Sequence, residues 1–189
     1  MTTTTATRTV DGLSVPAAGT WTIDKDHSKV EFVARHLMVT KVRGSFEDYA
    51  AEIVVGDDPT ESSIDVTIQA ASITTGADDR DAHLRSGDFL DVETFETLRF
   101  VSDTIERTDD GWVARGDLTI KDVTRPVDLR FDFLGAATDP WGNAKAGFEA
   151  RTEIDREDFG LTWNVALESG GVLVSKTVKI EIDLQLGQA

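Results

Sequence analysis

Near its C-terminal end the chain alternates strictly. Val172, Val174, Val178, Ile180, Ile182, Leu184 and Leu186 share one parity, while Thr177, Lys179, Glu181, Asp183 and Gln185 take the other. Successive side chains of a strand point to opposite faces, so this pattern gives one buried face and one wet face. A helix would scatter the same residues around its whole circumference. The pattern recurs at Val127, Leu129, Phe131 and Phe133, at Ala146, Phe148, Ala150 and Ile154, and at Ile64, Val66, Ile68 and Ala70. Val30, Phe32 and Ala34 open another strand. Residues 98–105 and 112–120 alternate more weakly, and 42–55 reads as one long or bent strand with Gly44 as a bulge.

Turn residues separate these runs: Asp57-Asp58-Pro59, Asp109-Asp110-Gly111, Asp139-Pro140-Trp141-Gly142 and Gly170-Gly171. One polar face per strand points to antiparallel pairing. About eight strands with hairpin-like links predict an all-β domain, either a sandwich or a closed barrel. Two stretches read as helical. One is residues 78–86, stopped by Gly87, and the other is a single turn over 156–160. On the first, Asp79–His83 and Asp81–Arg85 are spaced as facing pairs. No repeat or second domain is visible, and the Thr-rich residues 1–19 read as a disordered tail.

Nineteen basic against 35 acidic residues leave a net charge of -16. A surface this acidic repels nucleic acid and anionic membrane, so neither is expected as the main partner. No apolar run reaches the roughly 18 residues of a membrane-spanning helix, so the protein is not expected to be membrane-embedded. No secretory signal is read, which leaves a cytoplasmic location as the expectation. The chain has no cysteine, so disulfides and thiolate metal sites are excluded.

His27, His36 and His83 are the only histidines. Their spacing contains no metal-binding pattern, and on one regular strand His27 and His36 would face opposite ways. His36 continues the inward parity of Val30, Phe32 and Ala34, with Met38 beyond it. It reads either as a buried imidazole bonded to a backbone carbonyl or a tyrosine, or as a polar contact at the head of an apolar ligand. His83 has an aspartate partner but no nucleophile within easy reach, and there is no nucleophile elbow, phosphate loop or dinucleotide fingerprint. An enzyme is therefore not expected, and no cofactor or metal is implied.

Several stretches, in order, resemble the YceI-like family. They are Asp26-His27-Ser28-Lys29-Val30-Glu31-Phe32, Arg35-His36-Leu37-Met38-Val39, Gly44-Ser45-Phe46, Arg80-Asp81 with His83-Leu84-Arg85-Ser86, and Asp88-Phe89-Leu90-Asp91. Further on come Gly116-Asp117-Leu118-Thr119-Ile120, Val123-Thr124-Arg125-Pro126-Val127, Gly147-Phe148-Glu149-Ala150 and Arg156-Glu157-Asp158-Phe159-Gly160. The match covers residues 20–187. Two positions depart from it: Glu96 stands where a proline is usual, and Asp122 where a glycine is usual. The resemblance implies a lipocalin-like, extended antiparallel β-barrel with a short helical insertion near 78–86. It also implies binding of a polyisoprenoid or similar long-chain lipid in an apolar pore, often in a homodimer.

On that reading the inward parities predict a lining of Phe32, Ala34, His36, Met38, Leu129, Phe131, Phe133, Phe148 and Ile180. Phe89 and Leu90 are expected to close one end, with Trp163 at a mouth. Arg35, His36, Arg80 and His83 are candidates for the ligand's polar end. Two rival expectations stand beside it. One is an enzyme on a lipid or quinone-like substrate using His36 or His83; the other is a barrel with a filled core that only docks to proteins. Aromatic parity alone does not separate a filled from a hollow barrel of this size.

Overall fold

The computed structural model describes residues 6–189. In chain order its strands are β1 (Thr7–Val10), β2 (Leu13–Pro16), β3 (Gly19–Ile23), β4 (Lys29–His36), β5 (Thr40–Phe46), β6 (Tyr49–Val55), β7 (Ser63–Gln69) and β8 (Ile73–Thr74). The helix α1 (Asp78–Arg85) follows, then β9 (Thr97–Thr108), β10 (Gly111–Ile120), β11 (Val123–Thr138), β12 (Ala144–Asp155) and β13 (Thr177–Gln188). All pairings are antiparallel, and β3, β6, β7, β9, β10, β11, β12 and β13 close on themselves as an eight-stranded barrel. Full closure leaves these strands no free edge to template aggregation.

The closure is made by β13. One of its edges pairs with β12 along its length, from Asp155↔Thr177 to Lys145↔Gly187. Its other edge is shared: β3 takes Leu186–Gln188, while β4 takes Lys179–Asp183. The turn between β3 and β4 is pinned by Asp24, whose carboxylate accepts from Lys145 Nζ at 2.9 Å and Gln185 Nε2 at 3.1 Å. His27 Nδ1 lies 3.1 Å from the same carboxylate. The hydrogen bond from Lys145, then that from His27, hold Asp24 well below the usual carboxylate range despite some desolvation. Beyond this handover β4, β5 and β8 leave the ring as a short wing.

Four expectations are corrected. Residues 6–19 are not a disordered tail: β1 and β2 form a hairpin, and β3 begins at Gly19. Residues 1–5 of the expected tail lie outside the described residues. The stretch 42–55 is two strands, broken at Glu47-Asp48, because β5 belongs to the wing and β6 to the barrel. Gly44 is not a bulge; it pairs in register with Phe32, and the Phe32 ring occupies the space a Cβ would need. Real register shifts lie between Arg115 and Asp117 and between Phe133 and Gly135. Finally, Val172 and Val174 precede β13 and make only isolated bridges, to Ala166 and His36.

The core is divided. At the helix end Ala70, Ile73, Leu90, Leu98, Leu118, Ile120, Phe159 and Leu161 form one buried cluster. At the end covered by the β1–β2 hairpin, Ala6, Trp21, Val55, Ala144, Ala146 and Leu186 form another. Between them the inward residues are not fully buried. Ile180, Ile182 and Leu184 alternate with exposed neighbours yet keep free surface of their own. That surface faces the inside of the barrel.

Candidate functional site

The space between the two clusters is a cavity of about 180 Å³. One wall is built by β10 to β13, with Trp112, Leu129, Phe131, Phe133, Phe148 and Ile180 turned inward; the facing wall carries Ala51, Ile53, Ile64 and Val66. So many side chains around so little volume describe a long, slender space. Among the lining residues only Ser62, Thr152 and the Trp112 indole bring polar side-chain groups. The aromatic wall follows from register. Trp112 is opposite Phe131 across β10–β11, and Phe133 is opposite Phe148 across β11–β12. Phe131 therefore lies 6.4 Å from Trp112 and 6.2 Å from Phe148, and Phe148 lies 5.2 Å from Phe133. An apolar cavity of this kind stays dry and is filled favourably only by apolar matter.

The helix end is closed by a network of local bonds. Asp81, only 5 % exposed, accepts from Thr74 Oγ1 at 3.0 Å, Thr75 N–H at 2.7 Å and Thr75 Oγ1 at 2.5 Å. Burial alone would raise this carboxyl. The bonds from Thr75 and Thr74, with the charge on Arg85, outweigh burial and hold it below its ordinary value. Arg85 itself donates to the Ala71 and Ile73 carbonyls, at 2.8 and 2.6 Å. The expected Asp81–Arg85 and Asp79–His83 pairs are thus not hydrogen-bonded pairs; buried Asp81 and half-buried Arg85 both turn toward residues 71–75 ahead of the helix, and His83 Nε2 meets Asp88 at 2.8 Å.

The sign of the Asp81 shift sets a pH dependence. A carboxyl lowered in the folded state adds stability above its unfolded value, about 4, and loses it as the pH falls through the folded value. Asp81→Asn should therefore be less stable than the parent at neutral pH, with a gap that narrows below about pH 4. Urea midpoints measured across that range check this; a gap independent of pH would contradict it.

Beside this network His83 is enclosed edge-on by Phe89 and Trp163, with ring centres 5.1 and 4.6 Å away. Phe89 and Leu90 are buried there, 7 % and 6 % exposed. Arg156, 3 % exposed, holds the following segment. Its guanidinium donates to the carbonyls of Ser175 (2.9 Å), Leu161 (2.5 Å), Trp163 (3.0 Å) and Val174 (3.4 Å).

The opposite end is covered by the β1–β2 hairpin, which places Val15 and Pro16 on the cavity wall. Arg8 fastens it, donating to Pro16 O at 3.2 Å, to Asp57 O at 2.6 Å and to Gly56 O. Trp21 Nε1 adds a bond to Ala17 O at 3.0 Å. At this end Arg107, exposed, sits over the Trp112 ring at 5.4 Å. Neither Arg8 nor Arg107 was expected at the site. The signal for the hairpin was Asp11-Gly12 between Thr-Val and Leu-Ser-Val, a primed-turn pair whose two residues have φ of 50° and 80°.

Leu129, Phe131, Phe133, Phe148 and Ile180 are on the cavity wall, as parity predicts. The other expected lining residues lie elsewhere because β4 leaves the ring. Val30 reaches the cavity, but Phe32 packs on Phe46 and the helix-end cluster. Ala34 and His36 sit further along the wing, where His36 bridges to Val174, and Met38 is 51 % exposed. The proposed head contacts also miss the cavity. Arg35 is exposed on the wing, and Arg80 donates to Thr75 Oγ1 and O at 2.7 and 3.2 Å. His83, Phe89, Leu90 and Trp163 belong to the closed helix end. Among the described residues no cluster of acidic, histidine or cysteine side chains could hold a metal, and no helix is long and apolar enough to cross a membrane.

The family model for the YceI-like domain matches residues 21–186. A UPF0312 protein of Serratia proteamaculans is 37 % identical over 158 residues, covering 82 % of each chain. A Staphylococcus aureus UPF0312 protein is 38 % identical over 164 residues, covering 85 % of this chain and 93 % of the relative. Among solved structures, the YCEI protein of Campylobacter jejuni superposes with a TM-score of 0.70 at 28 % identity, over 82 % of this chain and 90 % of that one. A polyisoprenoid binding domain from Saccharophagus degradans shares the fold, with a TM-score of 0.67 at 15 % identity over 89 % and 98 % of the two chains. The β1–β2 hairpin lies outside the matched family residues.

Proposed function

This chain belongs to the YceI-like family, and from that premise we propose that its barrel binds and carries one long-chain amphiphile of polyisoprenoid type. The observation that carries the reading is the almost wholly apolar cavity lying between two packed clusters. The description of the Saccharophagus degradans neighbour as polyisoprenoid binding supports an isoprenoid chain over other apolar chains. Each methylene-sized group moved from water into such a wall gains about 0.8 kcal/mol before ordering costs. A few isoprene units therefore give useful affinity with no charged group in the middle of the barrel. The cavity stands against a filled-core barrel, and neither His36 nor His83 lies on its wall, as the enzymatic alternative would need.

The polar end of the ligand belongs at the hairpin end, beside Arg107. Its guanidinium is the one cation lying over a lining ring among the described residues. Trp112 then reports binding directly. A brominated polyprenyl phosphate should quench tryptophan fluorescence saturably, and Trp112→Phe should remove most of the quenchable signal. Arg107→Gln should weaken the phosphate about tenfold, as expected for one charge-assisted contact, while changing the parent alcohol little. No saturable quenching would contradict the reading, and equal weakening of alcohol and phosphate would remove Arg107 from it.

A further inference from the structure

The β4–β5 connection is costly in two ways at once. Val39 N–H donates to the His36 carbonyl at 3.1 Å, closing a turn whose central residues, Leu37 and Met38, have φ of 53° and 60°. Turns with two positive φ values are normally filled by Asn-Gly or Gly-Gly, because a Cβ crowds the backbone there. The other non-glycine residues with positive φ among those described are Asp11, Asp91 and Lys121, all polar. Here two large apolar residues adopt the conformation and remain about half exposed. Leu37 is 44 % exposed, Met38 51 % and Val39 74 %. Val165, 46 % exposed, stands on the adjoining segment, which is bonded to the turn through Leu37 N–H to Leu173 O at 2.8 Å and Leu173 N–H to Val165 O at 2.9 Å. The four side chains form a braced apolar tip at the helix end of the barrel.

The charge around the tip is opposite to that of the chain. No acidic residue occurs between Glu31 and Glu47, a stretch that holds Arg35, Lys41 and Arg43, although the net charge is -16. Arg43 is held by Glu181 at 2.6 Å and Glu31 at 3.6 Å. Arg35 and Lys41 are partners across β4–β5, both are exposed, and neither reaches a carboxylate among the described residues. Glu168, exposed on the neighbouring loop, is the nearest acidic residue in that segment's sequence.

We propose that this tip docks the protein, helix end first, on an anionic lipid bilayer. Leu37, Met38, Val39 and Val165 enter the headgroup boundary, and Arg35 and Lys41 meet the lipid phosphates. Strain and exposure at the turn are offset only when something outside the chain buries it. A second copy is the poorer occupant, since a two-fold contact through the same tip would set Arg35 and Lys41 against their own like. Asp78, Asp79 and Asp88 are exposed at this same end, so docking rests on the apolar tip and the two cations beside it, while acidic groups further than about 10 Å from the surface are screened. Docking of this end needs no cargo in the barrel.

The absence of cysteine makes the test direct. An environment-sensitive fluorophore on Val39→Cys should shift to the blue with phosphatidylcholine vesicles containing phosphatidylglycerol, and not with phosphatidylcholine alone. The same label on Asp110→Cys, at the far end, should not respond. Arg35→Glu with Lys41→Glu should lower vesicle partitioning at least about tenfold, near fivefold per cation, and Glu168→Lys should raise it. Leu37→Asn with Met38→Gly relieves the turn, so in the labelled protein it should raise the melting temperature while abolishing the shift; this variant separates docking from folding. No shift with anionic vesicles, an equal shift with neutral ones, or a shift that appears without vesicles as protein concentration rises, which marks self-association, would each overturn docking. Cargo binding, read by Trp112 quenching without vesicles, is independent of every one of these outcomes.

Discussion

Replacing Ala150 by phenylalanine is expected to empty the barrel while leaving it folded. Ala150 lies on the cavity wall, directly opposite Phe131 on β11 and Ile182 on β13. A ring at this position enters the middle of the space from the wall that already holds Phe131 and Phe148. The usual penalty for enlarging a buried residue comes from a core with no room, and here the cavity of about 180 Å³ supplies the room. If the ring displaces three or four methylene-sized groups of a bound chain, the loss is about 3 kcal/mol, or roughly a hundredfold in affinity. Lipid bound at purification should fall accordingly, with the melting temperature unchanged or raised. A variant that folds and retains its full lipid content would show that the ligand does not pass Ala150.

The largest effect on stability is expected at Arg156. Its guanidinium is buried without a carboxylate partner and bonded to four backbone carbonyls of segments 161–163 and 174–175. Desolvation pulls its pKa down, while the charges of Glu157 and Asp155 oppose the shift. Arg156→Met keeps the stem and orphans the Ser175, Leu161 and Trp163 carbonyls, while Val174 O keeps its bond from Asn164 Nδ2 at 2.8 Å. Each buried group left unpaired costs about 1–3 kcal/mol, and water entering the gap recovers part of it. A total loss of about 3–5 kcal/mol follows, which in a chain of this size lowers the melting temperature by about 10 °C or more. Arg156→Lys should rescue less than half of this, because one ammonium cannot span the spread of acceptors. Urea denaturation of the three proteins gives the comparison; a loss below about 1 kcal/mol for Arg156→Met would mean the carbonyls find other partners.

The barrel was legible because parity is unambiguous where one face is wet and the other is not. Val127 to Phe133 and Ile180 to Leu186 point inward as the alternation predicts. Parity fails where a strand changes what it covers. Val30, Phe32, Ala34 and His36 keep one parity, but only Val30 faces the cavity, since β4 follows β13 for a few residues and then leaves the ring. The pairing that causes this is formed with residues about 150 positions away, beyond any local pattern. Asp81 was misplaced for a related reason: helical spacing suggested Arg85, whereas the bonds run back to Thr74 at the end of β8 and to Thr75 just after it. Hollowness left no mark in the sequence at all. Phe131 opposite Ala150 would look the same in a packed barrel, and only the distance between opposing walls tells them apart.

If one slender apolar chain fills the cavity, purifying the full chain without detergent and weighing it under native conditions reveals it. The expected spectrum shows one long-chain amphiphile per barrel at near-stoichiometric level, released on unfolding and absent from Ala150→Phe. A folded barrel that carries no adduct, and takes up none when offered polyprenyl alcohol or polyprenyl phosphate, would contradict this occupancy.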